Sequence, residues 1–363
     1  MKESIKRLSG ILLIVVMAVV LIAGCGGTQD TEGDKTAENK EESGSDVLKI
    51  GVCMPTLQEE RWQNDYNYFE AINEERDDIE LMLQVADNDS AKQQTQIESL
   101  ISQGVDGIIC CPVDASSIGT ALQDAHDAGI YVAAYCRLPE NCEIDMITMF
   151  DNAEVGKLNA EYAYSLAPKG NYVLLNGDVG STPDVTDYPK GWYGVLQDAI
   201  DKGDIKIVME QYCESWSAES GMKNMEEALA ANDNDIAAVI CANDGVASGA
   251  MQALDSVGKN DGSVVVTGND GDVTACKNII AGLQACSTAQ DTEKQAVLAV
   301  DTIVDLIKND GEITNFEITD KYDNGVMEVP SITCSATLVT NEEEINKLLI
   351  DTGLRDKAAI YGN

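Results

Sequence analysis

The stretch LKIGVCMPTLQEERWQNDYNYFEAINEERDDIELMLQVADNDSAKQQTQIESLISQGVDGIICCPV, residues 48–113, sets the rhythm of the whole chain. Short apolar runs, LKIGVCM (48–54), LMLQVAD (81–87) and GVDGIICCPV (104–113), alternate with the amphipathic segments RWQNDYNYFEAINEER (61–76) and AKQQTQIESLISQG (91–104). Apolar runs without polar alternation read as strands covered on both faces, and such strands separated by helices form parallel sheet. A helix through Leu122 to Ala128 and the run IYVAAYCR (130–137) complete a first set. Gly104 and Gly129 stand where a glycine ends a helix before the next strand.

A second set starts near Asp151. It reads as a helix at 153–166, NYVLLNG (171–177), a helix around Trp192–Ile200, and IKIVMEQY (205–212). A helix at 218–231, AAVICAND (237–244), a helix at 247–256 and VVVTGND (264–270) follow. After LQACSTA (283–289), a helix at 292–308 is long enough to return to the first set, and a strand-like SITCSATLV (331–339) and a short helix at 342–350 finish the chain. The expected fold class is α/β: two doubly wound parallel-sheet domains joined by a hinge of several crossings. The expected lobes are residues 47–150 with about 289–328, and 151–288 with about 329–363. Asp151-Asn152, Ser287–Gln290 and Val329–Cys334 are the expected crossings.

The remaining N-terminal residues are of a different kind. Lys2, Lys6 and Arg7 precede an apolar run from Ile11 to Ile22, too short to span a bilayer and typical of a signal peptide. It ends in Ile22-Ala23-Gly24-Cys25, which resembles a lipoprotein lipobox, so residues 1–24 read as a signal and Cys25 as the lipidated residue. Residues 25–46 contain no large apolar side chain and read as a disordered tether. The body is thus expected outside the cytoplasm, anchored at the cell membrane.

Composition excludes several functions. The chain of 363 residues carries 63 acidic against 24 basic residues, a formal charge of −39, and loss of residues 1–24 leaves 62 against 21, or −41. Such a charge offers no basic stripe for nucleic acid. There is a single histidine, His126, in an acidic helical context, which leaves no His-based hydrolytic machinery. No phosphate-cradling glycine loop occurs, and Gly-Asn-Asp-Gly-Asp (268–272) lacks the spacing of a calcium loop. Neither enzymatic activity, cofactor nor metal is expected. Of the eleven cysteines, Cys53, Cys110, Cys111 and Cys241 lie inside apolar runs and read as buried free thiols, whereas Cys136 and Cys142 are the pair to check for a bridge.

What remains is binding. In open α/β sheets ligands sit beyond the carboxyl ends of the strands, where this chain places Arg137, Asn243-Asp244 and Asp270. Carboxylates, amides and guanidinium groups suit hydroxyls, and an aromatic face covers the C–H side of a sugar ring. With aromatics at only 5%, Trp62 and Trp216 are individual candidates.

The segments ERWQ (60–63), AYCRL (134–138), FDNAEVGKLNA (150–160), GNYVLLNG (170–177), CANDGVASGAMQAL (241–254), TGNDGD (267–272) and DNGVMEVPS (323–331) resemble the ribose/galactose-type periplasmic sugar-binding proteins of ABC importers, in their D-xylose-binding branch. The resemblance implies sugar contacts from Arg61, Trp62 and Arg137 in the first lobe. In the second it implies stacking by Trp216, an amide contact from Asn243 and a carboxylate contact from Asp270. At two positions the chain departs from the family: Cys136 stands where the resemblance implies an aspartate, and Gln290 where it implies a lysine. Asp184, in the loop GDVGSTPDVTDYPKG, falls where the family has a ligand-binding asparagine. A site built to bond a hydroxyl rejects an analogue lacking it by roughly 10⁴, so these replacements bear directly on which sugar is taken. The implied role is a monomer that closes on a monosaccharide and delivers it to permease and ATPase subunits. A sensor or chemoreceptor reader would use the same pocket. A transcriptional repressor of the same build would instead need a helix-turn-helix ahead of it.

Overall fold

The structure, a computed structural model, describes residues 47–362. The expected signal peptide, the expected tether and Cys25 lie outside the described residues. In chain order the first half contains β1 (Leu48–Met54), α1 (Glu60–Glu75), β2 (Ile79–Val85), α2 (Ser90–Gln103), β3 (Gly107–Cys110), α3 (Gly119–Asp127), β4 (Tyr131–Tyr135) and β5 (Met146–Phe150). Then come α4 (Asn152–Leu166), β6 (Gly170–Asn176), α5 (Asp184–Asp201), β7 (Ile205–Tyr212), α6 (Ala218–Ala231), β8 (Ala238–Cys241), α7 (Asp244–Ser256), β9 (Val265–Thr267), α8 (Val273–Ile280) and β10 (Ser287–Gln290). The chain closes with α9 (Thr292–Lys308), β11 (Asp320–Asp323), β12 (Glu328–Cys334), β13 (Ala336–Val339), α10 (Glu342–Ile345), a π turn at Asn346–Ile350, and α11 (Lys357–Tyr361).

The first sheet has the order β11-β12-β5-β4-β3-β1-β2, parallel except for the antiparallel edge strand β11. Its alternating side chains feed two clusters. Ile50, Val52 and Tyr135 meet Phe69 of α1 and Ala299, Val300 and Ile303 of α9 on one face. On the other, Ile108, Val132 and Ile147 meet Ile97 and Leu100 of α2 and Leu122 of α3. Gly104 ends α2 at φ 69°, donating its N–H to the carbonyls of Leu100 and Ile101. The second sheet, β7-β6-β8-β9, is parallel, and α4 and α5 cover one face while α6 and α7 cover the other. The antiparallel pair β10-β13 is joined to it through a Thr267–Cys286 bridge.

The chain passes between the two sheets at Asp151, at Asp291 and at Ser335. The last of these corrects the sequence reading. SITCSATLV is two strands: β12 pairs in parallel with β5 in the first sheet, and β13 pairs with β10 beside the second. The boundary expected near residue 329 therefore falls at Ser335, because the apolar run continues unbroken from one lobe into the other. Two further readings change. MITMF, a run of five residues left unassigned in the sequence reading because it leads straight into the cap of α4 at Asp151, is the buried strand β5. Helix α5 starts at Asp184 rather than near Trp192 and carries Pro189 inside it. Pro189 cannot donate to the Val185 carbonyl, and Asn176 Nδ2 takes that role at 2.8 Å.

All ten described cysteines are free and buried. Cys136 belongs to the cluster under α1 and α9 and Cys142 to the one under α2 and α3, so they lie on opposite faces of the sheet rather than facing one another. Among the described residues no helix is long and apolar enough to cross a membrane.

Candidate functional site

The strand ends of the two sheets face a shared cavity lined by Arg61, Trp62, Cys136, Arg137, Asp184, Trp216, Asn243, Asp270 and Gln290. These residues, all singled out in the sequence, thus come to one place, whereas Asp244 lies outside the lining, its carboxylate bonded to Ser287, Gln284 and the Asp272 N–H. The lining also includes Glu59, Phe150, Asn152, Tyr188 and Asn269. Asn152 was expected only as part of a crossing, and Asn269 sat within the quoted TGNDGD motif without a role. Tyr188 was hidden by its Pro-containing helix, and Glu59 by the assumption that the motif began one residue later.

Arg61 is the most constrained side chain of the site. Its Nε donates to Asp65 Oδ2 at 3.0 Å, Nη1 to Gln290 Oε1 at 2.6 Å, and Nη2 to Gln295 Oε1 at 2.8 Å and to Cys136 Sγ at 3.2 Å. Of its five N–H groups, one on Nη1 stays uncommitted, with Asp270 Oδ1 at 3.9 Å. The two departures from the family pattern are therefore both bonded to Arg61. Asp65, fully buried, also accepts from the Tyr135 hydroxyl at 3.1 Å. Burial pushes the Asp65 carboxyl up, and the Arg61 guanidinium pulls it back.

Arg137 lies between the two lobes' tryptophans, its Cζ 5.4 Å from the Trp62 ring and 6.0 Å from the Trp216 ring. Its Nη1 donates to the Pro112 carbonyl at 2.9 Å. Trp216 is seated by its indole N–H, which donates to Ser181 Oγ at 2.9 Å, and by Tyr188, which meets it edge-on at 6.4 Å. A Cβ at residue 177 would overlap the Trp216 ring, so only glycine fits there.

Asn243 lines the cavity and caps α7, accepting from the Val246 N–H at 2.8 Å through Oδ1. Asp270 accepts from Asn269 Nδ2 at 3.0 Å, and Arg355 holds the Asp270 carbonyl at 2.8 Å. Burial pushes the Asp270 carboxyl up to about 6, with Arg61 and Arg355 opposing. Asp184 accepts from Asn152 Nδ2 at 2.6 Å, and burial pushes it to about 7 against the pull of Arg137 and Arg61. Cys136 (φ 63°), Trp216 (φ 56°) and Asp270 (φ 100°) are all non-glycine residues in the left-handed half of backbone space. Strain of that kind gathers where a side chain must be aimed.

The cavity is closed in part by direct contacts across its mouth. The Ala115 N–H donates to the Gly180 carbonyl at 2.9 Å and the Leu138 N–H to the Thr182 carbonyl at 2.8 Å. Thr182 Oγ1 donates to Glu140 at 3.0 Å. At the start of α1, Glu60 accepts from the Val273 N–H at the start of α8 at 3.2 Å, a carboxylate at a helix N-terminus. These bonds join elements of the two sheets, so the lobes are drawn together.

A family model described as a periplasmic binding protein domain matches residues 50–312. The chain is 35% identical over 315 residues to a D-xylose-binding periplasmic protein of Haemophilus influenzae, covering 86% of this chain and 92% of that one. It is 32% identical to a D-xylose-binding periplasmic protein of Escherichia coli, covering 86% and 92% respectively. An ABC transporter solute-binding protein from Clostridium phytofermentans, solved with bound β-D-glucose, superposes with a TM-score of 0.76 at 30% identity, covering 86% of this chain and 99% of that one. The fold, the placement of the cavity and these similarities agree: the chain belongs to the periplasmic binding protein family and resembles its D-xylose-binding members.

Proposed function

We propose that this chain is an extracytoplasmic solute-binding protein that closes its lobes on a neutral monosaccharide and hands it to the permease and ATPase subunits of an ABC importer. The observation that carries this reading is the cavity lining. Two tryptophans from opposite lobes flank a space into which carboxylates, amides and a guanidinium project, which is the donor and acceptor set of a polyol ring. Names of relatives that bind xylose point to a xylose-like pentose or related sugar. The engagement of Cys136 and Gln290 by Arg61 favours a hydroxyl pattern that differs from xylose, because both side chains bond the protein first. The body acts as a monomer, tethered outside the cytoplasm through a lipid on Cys25.

The test is thermal unfolding of the purified protein with pentoses, hexoses, deoxysugars, inositols and nucleosides. A ligand at 100 times its Kd adds about 2.7 kcal/mol to the native state. A sugar that raises Tm in the parent but not in Trp216→Ala or Asp270→Ala supports the reading. A shift given only by nucleosides or amines refutes the sugar assignment.

A further inference from the structure

We propose that Glu59 reads the ligand: its carboxylate takes a sugar hydroxyl, and Arg137 Nε donates to the adjacent oxygen. The inference rests on the reading of the cavity as a monosaccharide site and names a residue that neither the motifs nor the family resemblance marked.

Two observations carry it. Among the described residues, several buried side-chain nitrogens and oxygens have no hydrogen-bond partner, and those belonging to the cavity lining are Glu59 Oε2 and Arg137 Nε. Of the neighbouring lining groups, Gln290 accepts from Arg61 and donates to Asn269, which in turn donates to Asp270; Asp65 Oδ1 is also without a partner but lies outside the cavity lining. A buried charged atom without a partner is costly, and one aimed into a binding cavity is satisfied by what enters it.

The second observation is geometric. Glu59 caps the start of α1 with extended backbone, and its side chain stands between the first lobe and the Trp216 and Asn243 edge of the second. Burial raises its carboxyl, and the opposing influences of Arg137 and Asp270 mark both as its neighbours. Arg137 is pinned by the Pro112 carbonyl and flanked by Trp62 and Trp216, so its Nε cannot turn to another partner without leaving both rings.

Carboxylate and guanidinium therefore face one space without closing on each other. A ligand that donates from one atom and accepts at the next fits between them, which describes a neutral vicinal diol. An anionic ligand would meet Glu59, Asp184 and Asp270 together. The same placement accounts for the thiol at position 136. Cys136 is held by Arg61 and Gln295 and supplies no carboxylate, while Glu59 brings one in from a different element.

The test is calorimetric titration of the full chain, its Glu59→Gln variant and its Glu59→Asp variant with the monosaccharide panel and the monodeoxy analogues of whichever sugar binds. Glu59→Gln is expected to bind that sugar about tenfold to a hundredfold more weakly, with no loss of Tm in the absence of ligand. Glu59→Asp, which keeps the charge but withdraws it by one methylene, weakens in the same direction. One monodeoxy sugar is expected to bind the parent and Glu59→Gln equally, identifying the hydroxyl that Glu59 takes. Unchanged affinity in both variants, with the parent still binding sugar, overturns the role of Glu59 and leaves the sugar reading intact. A parent that binds no sugar overturns both.

Discussion

Removing the carboxylate of Asp65 tests whether Arg61 is a buried part of the scaffold. Arg61 is 8% exposed and Asp65 is fully buried, with Nε and Oδ2 3.0 Å apart. In Asp65→Ala the positive charge is left among the neutral groups of Gln290, Gln295 and Cys136, with Asp270 3.9 Å away as the remaining carboxylate. Breaking a buried pair from one side costs about 3–5 kcal/mol. Partial compensation by Asp270 places this case near the lower end. At roughly 2–4 °C per kcal/mol for a body of this kind, Tm should fall by about 6–12 °C. Asp65→Asn keeps an acceptor for Nε without the charge and should fall between parent and alanine. Urea unfolding gives the free energy and thermal melts give Tm. A cost below about 1 kcal/mol for Asp65→Ala, the range of an exposed ion pair, would refute the burial of this pair.

Gly177→Ala should drive the Trp216 ring from its seat, costing about 1–3 kcal/mol by overpacking. It should weaken sugar binding about tenfold through lost stacking, and calorimetry showing unchanged affinity would mean that Trp216 is not a stacking face. Arg355→Met removes the donors to the Asp270 and Gly271 carbonyls and the charge facing Glu60 at 3.4 Å. A loss of about 2–5 kcal/mol is expected in urea unfolding, together with weaker binding as Asp270 relaxes from its φ of 100°. The pH dependence follows from Asp184 and Asp244, pushed up to about 7, and Asp270, pushed up to about 6. The folded protein holds protons that the unfolded chain releases near about pH 4, so this contribution is complete below that pH and is lost as pH rises through about 7. The urea midpoint of the unliganded protein should be higher at pH 5 than at pH 8, and the reverse order would contradict the burial of these carboxyls.

The helices and strands that were legible in the sequence are those whose apolar runs sit between clear stops. α6 and α9 run over the residues expected from their periodicity, 218–231 and 292–308. What escaped reading has local physical causes. β5 is only five residues long and leads straight into the cap of α4 at Asp151 with no glycine or proline stop, and β12 and β13 share one apolar run because a crossing needs only a single residue. The first turns of α5 look like a loop because Pro189 breaks the pattern, and the compensating bond comes from Asn176 at the end of the preceding strand β6. The same holds for the site. Trp216, Asn243 and Asp270 lie in motifs at strand ends, whereas Asp65, Gln295 and Tyr135 matter only through the bonds that converge on Arg61 and its carboxylate partner. Glu59 shows no sequence signal because its importance rests on facing Arg137 across a cavity.

The most direct measurement is isothermal titration calorimetry of the purified protein against neutral pentoses and hexoses. Saturable binding of at least one of them, one molecule per chain and with a negative heat-capacity change from surface buried on closure, is the expected result. Absence of binding by every neutral monosaccharide, in protein that unfolds cooperatively, would contradict the assignment of the cavity to a sugar.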